Sequence, residues 1–152
     1  MPDNAKVLIG REPMHWVAVQ VLARSHSGSQ DYWDGNWLMS EVSLHAGAFS
    51  GHYVASLRAD EFVRFRDELE SVYKSLTGTA IFSSVEGSLT IELAGDGKGH
   101  FVGTCEAMDT PGIGNCLAFC LTIDQTEIPV ILSGLNSILS QFPVIGRPEP
   151  ST

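Results

Sequence analysis

A chain of 152 residues with 43% hydrophobic and 18% charged residues is long and apolar enough to fold as one domain, which excludes a disordered protein. Its net charge of −9 offers no basic stripe to replace the counterions of nucleic acid, and it disfavours an anionic membrane surface. The same charge favours a basic protein as partner, although solubility alone also accounts for it.

The cysteines and the first residues bear on location. Cys105, Cys116 and Cys120 are odd in number and form no CxxC pair, so they indicate neither a disulfide framework nor a zinc site. The opening MPDNAKVLIG lacks the basic and apolar regions of a signal peptide, and no apolar run reaches the roughly 18 residues of a membrane span. We therefore expect a cytoplasmic protein with reduced thiols, without a metal or another cofactor.

The first half of the chain predicts four strands and then a helix. The strands are expected in KVLIG, HWVAVQVLAR, NWLMSEVSLH and AFSGHYVASL, most of which alternate between apolar and polar residues. In ADEFVRFRDELESVYKSLTG the apolar residues instead recur at spacings of three and four, which predicts a helix. Asp60 and Glu61 suit its N-terminal end, and Gly78 is a natural stop.

The second half predicts the same order of elements. Its strands are expected in TAIFSSV, SLTIEL, GHFVGTCEAM and NCLAFCLTI. The helix in TEIPVILSGLNSILSQF tolerates Pro129 because that residue lies in the first turn, where its missing N–H is not needed. Asp124 or Thr126 can cap this helix, and Pro143 ends it.

The two halves can be aligned on their helices. Leu57 matches Ile123, Glu61 matches Glu127, and the remaining apolar stripe follows at the same offset. The fold class predicted is α+β: an antiparallel sheet of about seven or eight strands with two helices, built from a (ββββα) unit used twice. We expect one domain over residues 1–145 and an extended, proline-rich tail over 146–152.

The last helix differs from the first in its charge. Eight charged residues lie between Asp60 and Lys74, whereas Glu127 is the single charged residue of the second helical segment. A helix with so few charges is either more deeply buried or presents a flat, weakly solvated face for self-association or partner binding. The second alternative predicts a homodimer through the last helix.

Catalytic patterns are lacking in the sequence. The turn GDGKG does not have the spacing of a phosphate-binding loop, and no serine lies in a GxSxG motif. His45 and His52 flank one hairpin, but a metal site there needs a third ligand, such as Asp31 or Asp34. We therefore predict no catalytic residue, and a hydrolase with dispersed Asp and His residues is the least favoured alternative.

The segment DYWDGNW is the best candidate for a working surface. Trp37 begins a strand and is expected to clamp the sheet end, but the four residues from Asp31 to Asp34 lie in the loop before it, where no period demands burial. Protein-binding surfaces combine aromatic anchors with charged groups. The predicted partner-binding residues are Asp31, Tyr32, Trp33 and Asp34, with Asp109 of the loop MDTPGIGN added if both loops lie at one end.

The order of several short motifs resembles the WapI-like family of small bacterial immunity proteins. The residues that carry the resemblance are DGNWL, the glycine of AFSG before the first helix, TGTA after it, GKGH, and the DQT…FPV close. The likeness spans roughly residues 30 to 145, and the first 30 residues carry none of it. It implies an α+β fold and a non-enzymatic protein that binds and neutralises a cognate toxin domain without a cofactor.

A second functional class remains open beside this resemblance. A small-ligand-binding module would have a pocket between sheet and helices, and its lining would come from four aromatic residues. These residues are Trp33, Trp37, Phe49 and Tyr53. A closed, fully packed interface between sheet and helices would exclude it.

Overall fold

The computed structural model describes residues 5–148, which form eight strands, two long helices and one short helix. The elements, in chain order, are β1 (Lys6–Arg11), β2 (His15–Arg24), α1 (Tyr32–Gly35), β3 (Trp37–Ala46), β4 (Phe49–Arg58), α2 (Ala59–Ser75), β5 (Thr77–Ser83), β6 (Leu89–Asp96), β7 (His100–Met108), β8 (Cys116–Asp124), a 3₁₀ turn (Gln125–Glu127) and α3 (Ile128–Gln141).

The strands form two antiparallel sheets of four, in the orders β1-β2-β3-β4 and β5-β6-β7-β8. The α+β class and the number of strands are therefore confirmed, and the strands are divided between two sheets where the sequence suggested one. Each sheet is a meander whose fourth strand leads directly into a long helix. The order of four strands and a helix thus occurs twice along the chain.

The helices join the two units together. α2 packs against β5 and against α3, while α3 packs against β1. Each long helix therefore lies against the first strand of the other unit. The buried residues of both units belong to one continuous hydrophobic cluster.

The predicted helical stripes form the centre of this core. Phe62 and Phe65 of α2 hold the Phe82 ring between them, with ring centroids 5.1 and 6.0 Å from it. Leu135 of α3 lies at the same place, and the void left among these side chains is about 10 Å³, barely enough for one water molecule. Burial of such large apolar side chains stabilises the fold by about 1.5–3 kcal/mol each.

Glu61 and Glu127, which the alignment of the two halves matches, make the same hydrogen bond in both units. Glu61 accepts a hydrogen bond from the backbone N–H of Arg58 at 2.8 Å, and Glu127 accepts one from that of Asp124 at 2.9 Å. Each satisfies a backbone donor just before a helix. The carboxylate of Asp124 also accepts from the N–H of Thr126, so Asp124 caps the 3₁₀ turn that leads into α3, whereas α3 itself begins without a side-chain cap.

The predicted stop of α2 at Gly78 is wrong. The helix ends at Ser75, and Leu76 takes the left-handed conformation there with φ of 62°. Its N–H donates to the carbonyl of Val72, and β5 begins at the next residue. Because a left-handed leucine is rare, the usual glycine signal pointed too far along the chain.

The predicted domain boundary and the expected lack of a membrane span are tested to different extents. Residues 1–4 and 149–152, with most of the predicted tail, lie outside the described residues, so the domain boundary at residue 145 stays a prediction. Within the described part of the chain, no helix is both long and apolar enough to cross a membrane.

Candidate partner-binding surface

Four of the predicted partner-binding residues form one short helical turn at the end of the first sheet. Asp31 is its N-cap: its carboxylate accepts from the backbone N–H groups of Trp33 and Asp34, both at 3.0 Å. Residues 32–35, of which the first three were predicted to lie in a loop, therefore form the helix α1. Asp31, Tyr32, Trp33 and Asp34 are called the Trp33 surface below.

A buried arginine supports this surface from below. Arg58, the last residue of β4, is 0% exposed. Its guanidinium donates to the backbone carbonyls of Trp33 at 2.6 Å and Tyr32 at 3.0 Å, and to the carboxylate of Asp60 at 3.0 Å. A buried charge is costly unless it is paired and hydrogen-bonded, and Arg58 meets both conditions. The carbonyls it binds are ones that so short a helix leaves without helical partners.

Three aromatic rings enclose the same guanidinium. Its central carbon lies 4.2 Å from the ring centroid of Trp33, 5.0 Å from that of Trp37 and 5.4 Å from that of Tyr32. The two indoles meet edge to face at 5.8 Å. Trp37 pairs with Arg58 across β3 and β4, so it covers the sheet end as predicted. Trp33, by contrast, stays 52% exposed.

The chain that follows α3 closes the other side of the turn. The buried amide of Asn36 donates to the carbonyls of Tyr32 at 2.7 Å and Ile145 at 2.9 Å, and accepts from the N–H of Ile145 at 3.0 Å. Arg24 donates to the carbonyl of Pro143. The turn is thus tied both to β4 and to the C-terminal segment.

The accessible charges of the surface are negative. The side chains of Asp31 and Asp34 are exposed, and that of Asp60 is about one third exposed. Arg58 is the cation beneath them and is covered by the rings. Burial and the nearby Asp60 carboxylate raise the pKa of Tyr32, so its hydroxyl stays neutral. The surface offers an indole face beside carboxylates.

Asp109 lies elsewhere in the molecule. It borders a groove beside Phe49, and Phe49 pairs with Ala46 at one end of the β3–β4 ladder. Trp37 and Arg58 pair at the other end, so the length of β3, about 30 Å, separates the two places. The structure therefore brings four of the five predicted residues together and leaves Asp109 apart.

The four aromatic residues that were predicted to line a ligand pocket do not form one. They do not meet, because Trp37 and Phe49 lie at opposite ends of the ladder. The void among the core side chains is only about 10 Å³. Close packing of Phe62 and Phe65 against Phe82 fills the core. Openings of about 340 Å³ beside α2 and β5 and of about 160 Å³ beside β1 and α3 contain none of the four aromatic residues.

The two hairpin histidines make ordinary structural contacts. His45 stacks on Trp16 with ring centroids 6.3 Å apart, and the Nε2 of His52 lies 2.7 Å from the carboxylate of Glu41. Among residues 5–148, no three or more His, Cys, Asp or Glu side chains are grouped so that they could hold a metal ion.

Comparison with known proteins agrees with the motif order. The model of the "Immunity protein WapI-like family" matches residues 8–143, which run from β1 to just past the end of α3. The likeness therefore includes β1 and β2, which the motifs alone had left out. No curated protein matches the chain.

Proposed function

Because this chain belongs to the WapI-like immunity protein family, we propose that it binds the toxic domain of a cognate bacterial toxin and neutralises it without catalysing a reaction. The encounter takes place in the cytoplasm, where the three free thiols stay reduced. The Trp33 surface is the part of the chain that contacts the toxin.

The assignment of the surface rests on Trp33, whose side chain is exposed but held in one place. This side chain is half exposed, yet its ring rests on a guanidinium that is itself held by three hydrogen bonds. Tryptophan is enriched among the few residues that dominate binding energy. A side chain already fixed in its bound position loses less conformational entropy on association.

The charge of the chain supports a basic toxin domain. The net charge of −9 attracts a positive partner over the range of the Debye length, and Asp31 and Asp34 place two carboxylates beside the exposed indole. Such complementarity mainly raises the association rate and selects the partner.

The experiment measures binding of the toxin domain encoded beside this gene. Calorimetry with the wild-type chain is compared with the Trp33→Ala variant. We expect the variant to bind about 30-fold or more weakly, since truncation of a central aromatic anchor costs about 2 kcal/mol or more. Circular dichroism checks that the variant is folded.

Tyr73→Ala serves as the matched control. Tyr73 is also a partly exposed aromatic, at 38%, but it lies near the far end of α2. Its removal leaves the affinity unchanged under this proposal. A wild-type chain that fails to bind the toxin domain overturns the proposed function, whereas a Trp33→Ala chain that binds as tightly overturns only the assignment of the surface.

A further inference from the structure

A groove lies between the two sheets at the end of the molecule opposite to the Trp33 surface. One wall comes from β3 and β4, through Leu44, Phe49 and Tyr53. The other comes from β7, from β8 and from the loop that connects them, through Asp109, Asn115 and Leu117. Its volume is about 250 Å³. The closed core of the molecule offers no comparable space to a side chain.

The groove is apolar along its walls and acidic at one side. Among the residues that line it, none is Lys, Arg or His, and Asp109 is the one ionisable carboxylate. Phe49, at the start of β4, is 64% exposed although it shares a face with the buried Ala55 and Leu57. Phe49 and the apolar walls of the groove together form an exposed apolar surface, and such surfaces mark places where another molecule binds.

The carboxylate of Asp109 is held in a fixed position. It accepts from the backbone N–H of Asn115 at 2.8 Å and from the Asn115 side-chain amide at 3.2 Å. These hydrogen bonds lower the pKa of Asp109, so the negative charge is present at neutral pH. A carboxylate has about four acceptor positions, and Asn115 uses only part of them.

We propose that this groove receives an arginine side chain of a partner protein. Under the proposed function the arginine belongs to the toxin domain, and in that respect the inference rests on it. The aliphatic stem lies along Leu117, the planar guanidinium covers the Phe49 ring, and its N–H groups donate to Asp109. Arginine unites these properties in one residue, because its ion is flat, weakly hydrated and able to stack on a ring.

The inference is tested without the toxin, so its failure is separable from failure of the proposed function. The probe is N-acetyl-arginine amide, titrated into the ¹⁵N-labelled full chain up to tens of millimolar. We expect shifts confined to the amides of residues 49–51, 109 and 115–117. N-acetyl-citrulline amide has nearly the same shape without the charge, and we expect it to bind about tenfold or more weakly.

Two variants test the two sides of the groove separately. Asp109→Asn removes the charge, and Phe49→Ser removes the ring while leaving the Asp109–Asn115 contacts intact; each is expected to weaken arginine binding about fivefold or more. Glu92→Gln removes an exposed carboxylate of β6 that does not line the groove, so it is the matched control and leaves binding unchanged. Equal binding of citrulline, shifts centred on the Trp33 surface, or absence of shifts would each overturn the proposal.

Discussion

Arg58 and Glu61 are two ionisable residues that lie almost completely out of solvent at the junction of β4 and α2. Arg58 is stabilised by partners from the Trp33 surface and by Asp60. Glu61 accepts from the backbone N–H groups of Arg58 and Val85, both at 2.8 Å. Together they tie the start of α2 to α1 on one side and to the β5–β6 turn on the other, so the exposed Trp33 rests on a rigid base.

Glu61 makes the stability of the fold depend on pH. Burial raises the pKa of its carboxyl from 4.5 to about 7, although the two backbone hydrogen bonds oppose the rise. Between these values the folded chain binds more protons than the unfolded chain, so the free energy of unfolding falls as pH rises from about 4.5 to about 7 and levels off above. The part due to Glu61 is on the order of 2–3 kcal/mol.

Urea unfolding of the wild type and of Glu61→Gln, at about pH 5 and about pH 8, isolates this contribution. The glutamine variant carries no titrating group there, and groups common to both proteins cancel in the difference. We expect the wild type to lose stability relative to the variant at the higher pH. A difference that stays constant between the two pH values would show that Glu61 keeps its ordinary pKa.

The environment of a single residue could be predicted where it depends on that residue's own segment of the sequence. Trp33 was predicted to be available because no period placed it inside, and it is exposed. Arg58 was missed because strand alternation puts it on the same side of β4 as the exposed His52 and Val54. Its burial comes from a turn more than twenty residues earlier that folds over it, and neither segment alone predicts this contact.

At the scale of elements, the close approach of α3 to β1 depends on one glycine. A Cβ atom at Gly134 would lie 2.8 Å from the carbonyl oxygen of Lys6 and 3.0 Å from the Cα of Val7. These are backbone atoms that have little freedom to move. The helix therefore lies on the strand with no side chain between them at this point.

Gly134→Ala is expected to destabilise the protein, contrary to helix propensity. Alanine gains about 1 kcal/mol over glycine within a helix. Forcing a methyl group against the β1 backbone costs about 1–3 kcal/mol, and more if β1 shifts, so we expect the net free energy of unfolding to fall. Urea denaturation measures it.

The matched control is Ser133→Ala, one position earlier on the exposed face of α3. There the propensity gain is not opposed by a contact, so stability is expected to rise slightly or stay within about 0.5 kcal/mol. A Gly134→Ala chain more stable than the wild type would mean that α3 and β1 can separate at little cost.

The strands and helices themselves were predictable because apolar residues recur in each at the spacing typical of a strand or of a helix. The division into two sheets was not, since no local feature tells β5 whether to pair with β4 or to begin a new sheet after α2. The low charge of α3 was left with two explanations. α3 buries five of its 14 residues and α2 buries six of its 17, so deeper burial does not explain the low charge of α3. The homodimer through the exposed face of α3 stays a prediction.

At the scale of the whole molecule, the crossed helices make the two units depend on each other. α2 belongs to the first unit and lies on β5, and α3 belongs to the second and lies on β1. Removal of either unit would expose the apolar stripe of both helices. We therefore expect the repeated order of elements to fold as one cooperative domain and not as two.

The distribution of tryptophan allows a direct test of this cooperativity. Trp16, Trp33 and Trp37 all lie in the first unit, so tryptophan fluorescence reports on that unit alone, whereas far-ultraviolet circular dichroism reports on both. Leu93→Ala alters only β6, in the second sheet, where Leu93 is 0% exposed. Loss of such a buried leucine costs about 2–5 kcal/mol.

If the two units unfold together, Leu93→Ala lowers the urea midpoint by the same amount in fluorescence and in circular dichroism, because the fluorescent unit loses its support when the second unit opens. Val17→Ala, in the core of the first sheet, is the reciprocal control and is expected to move both signals equally. A fluorescence transition that stays in place while the circular dichroism transition moves would show that the units unfold separately, and the helices would then contribute little to holding them together.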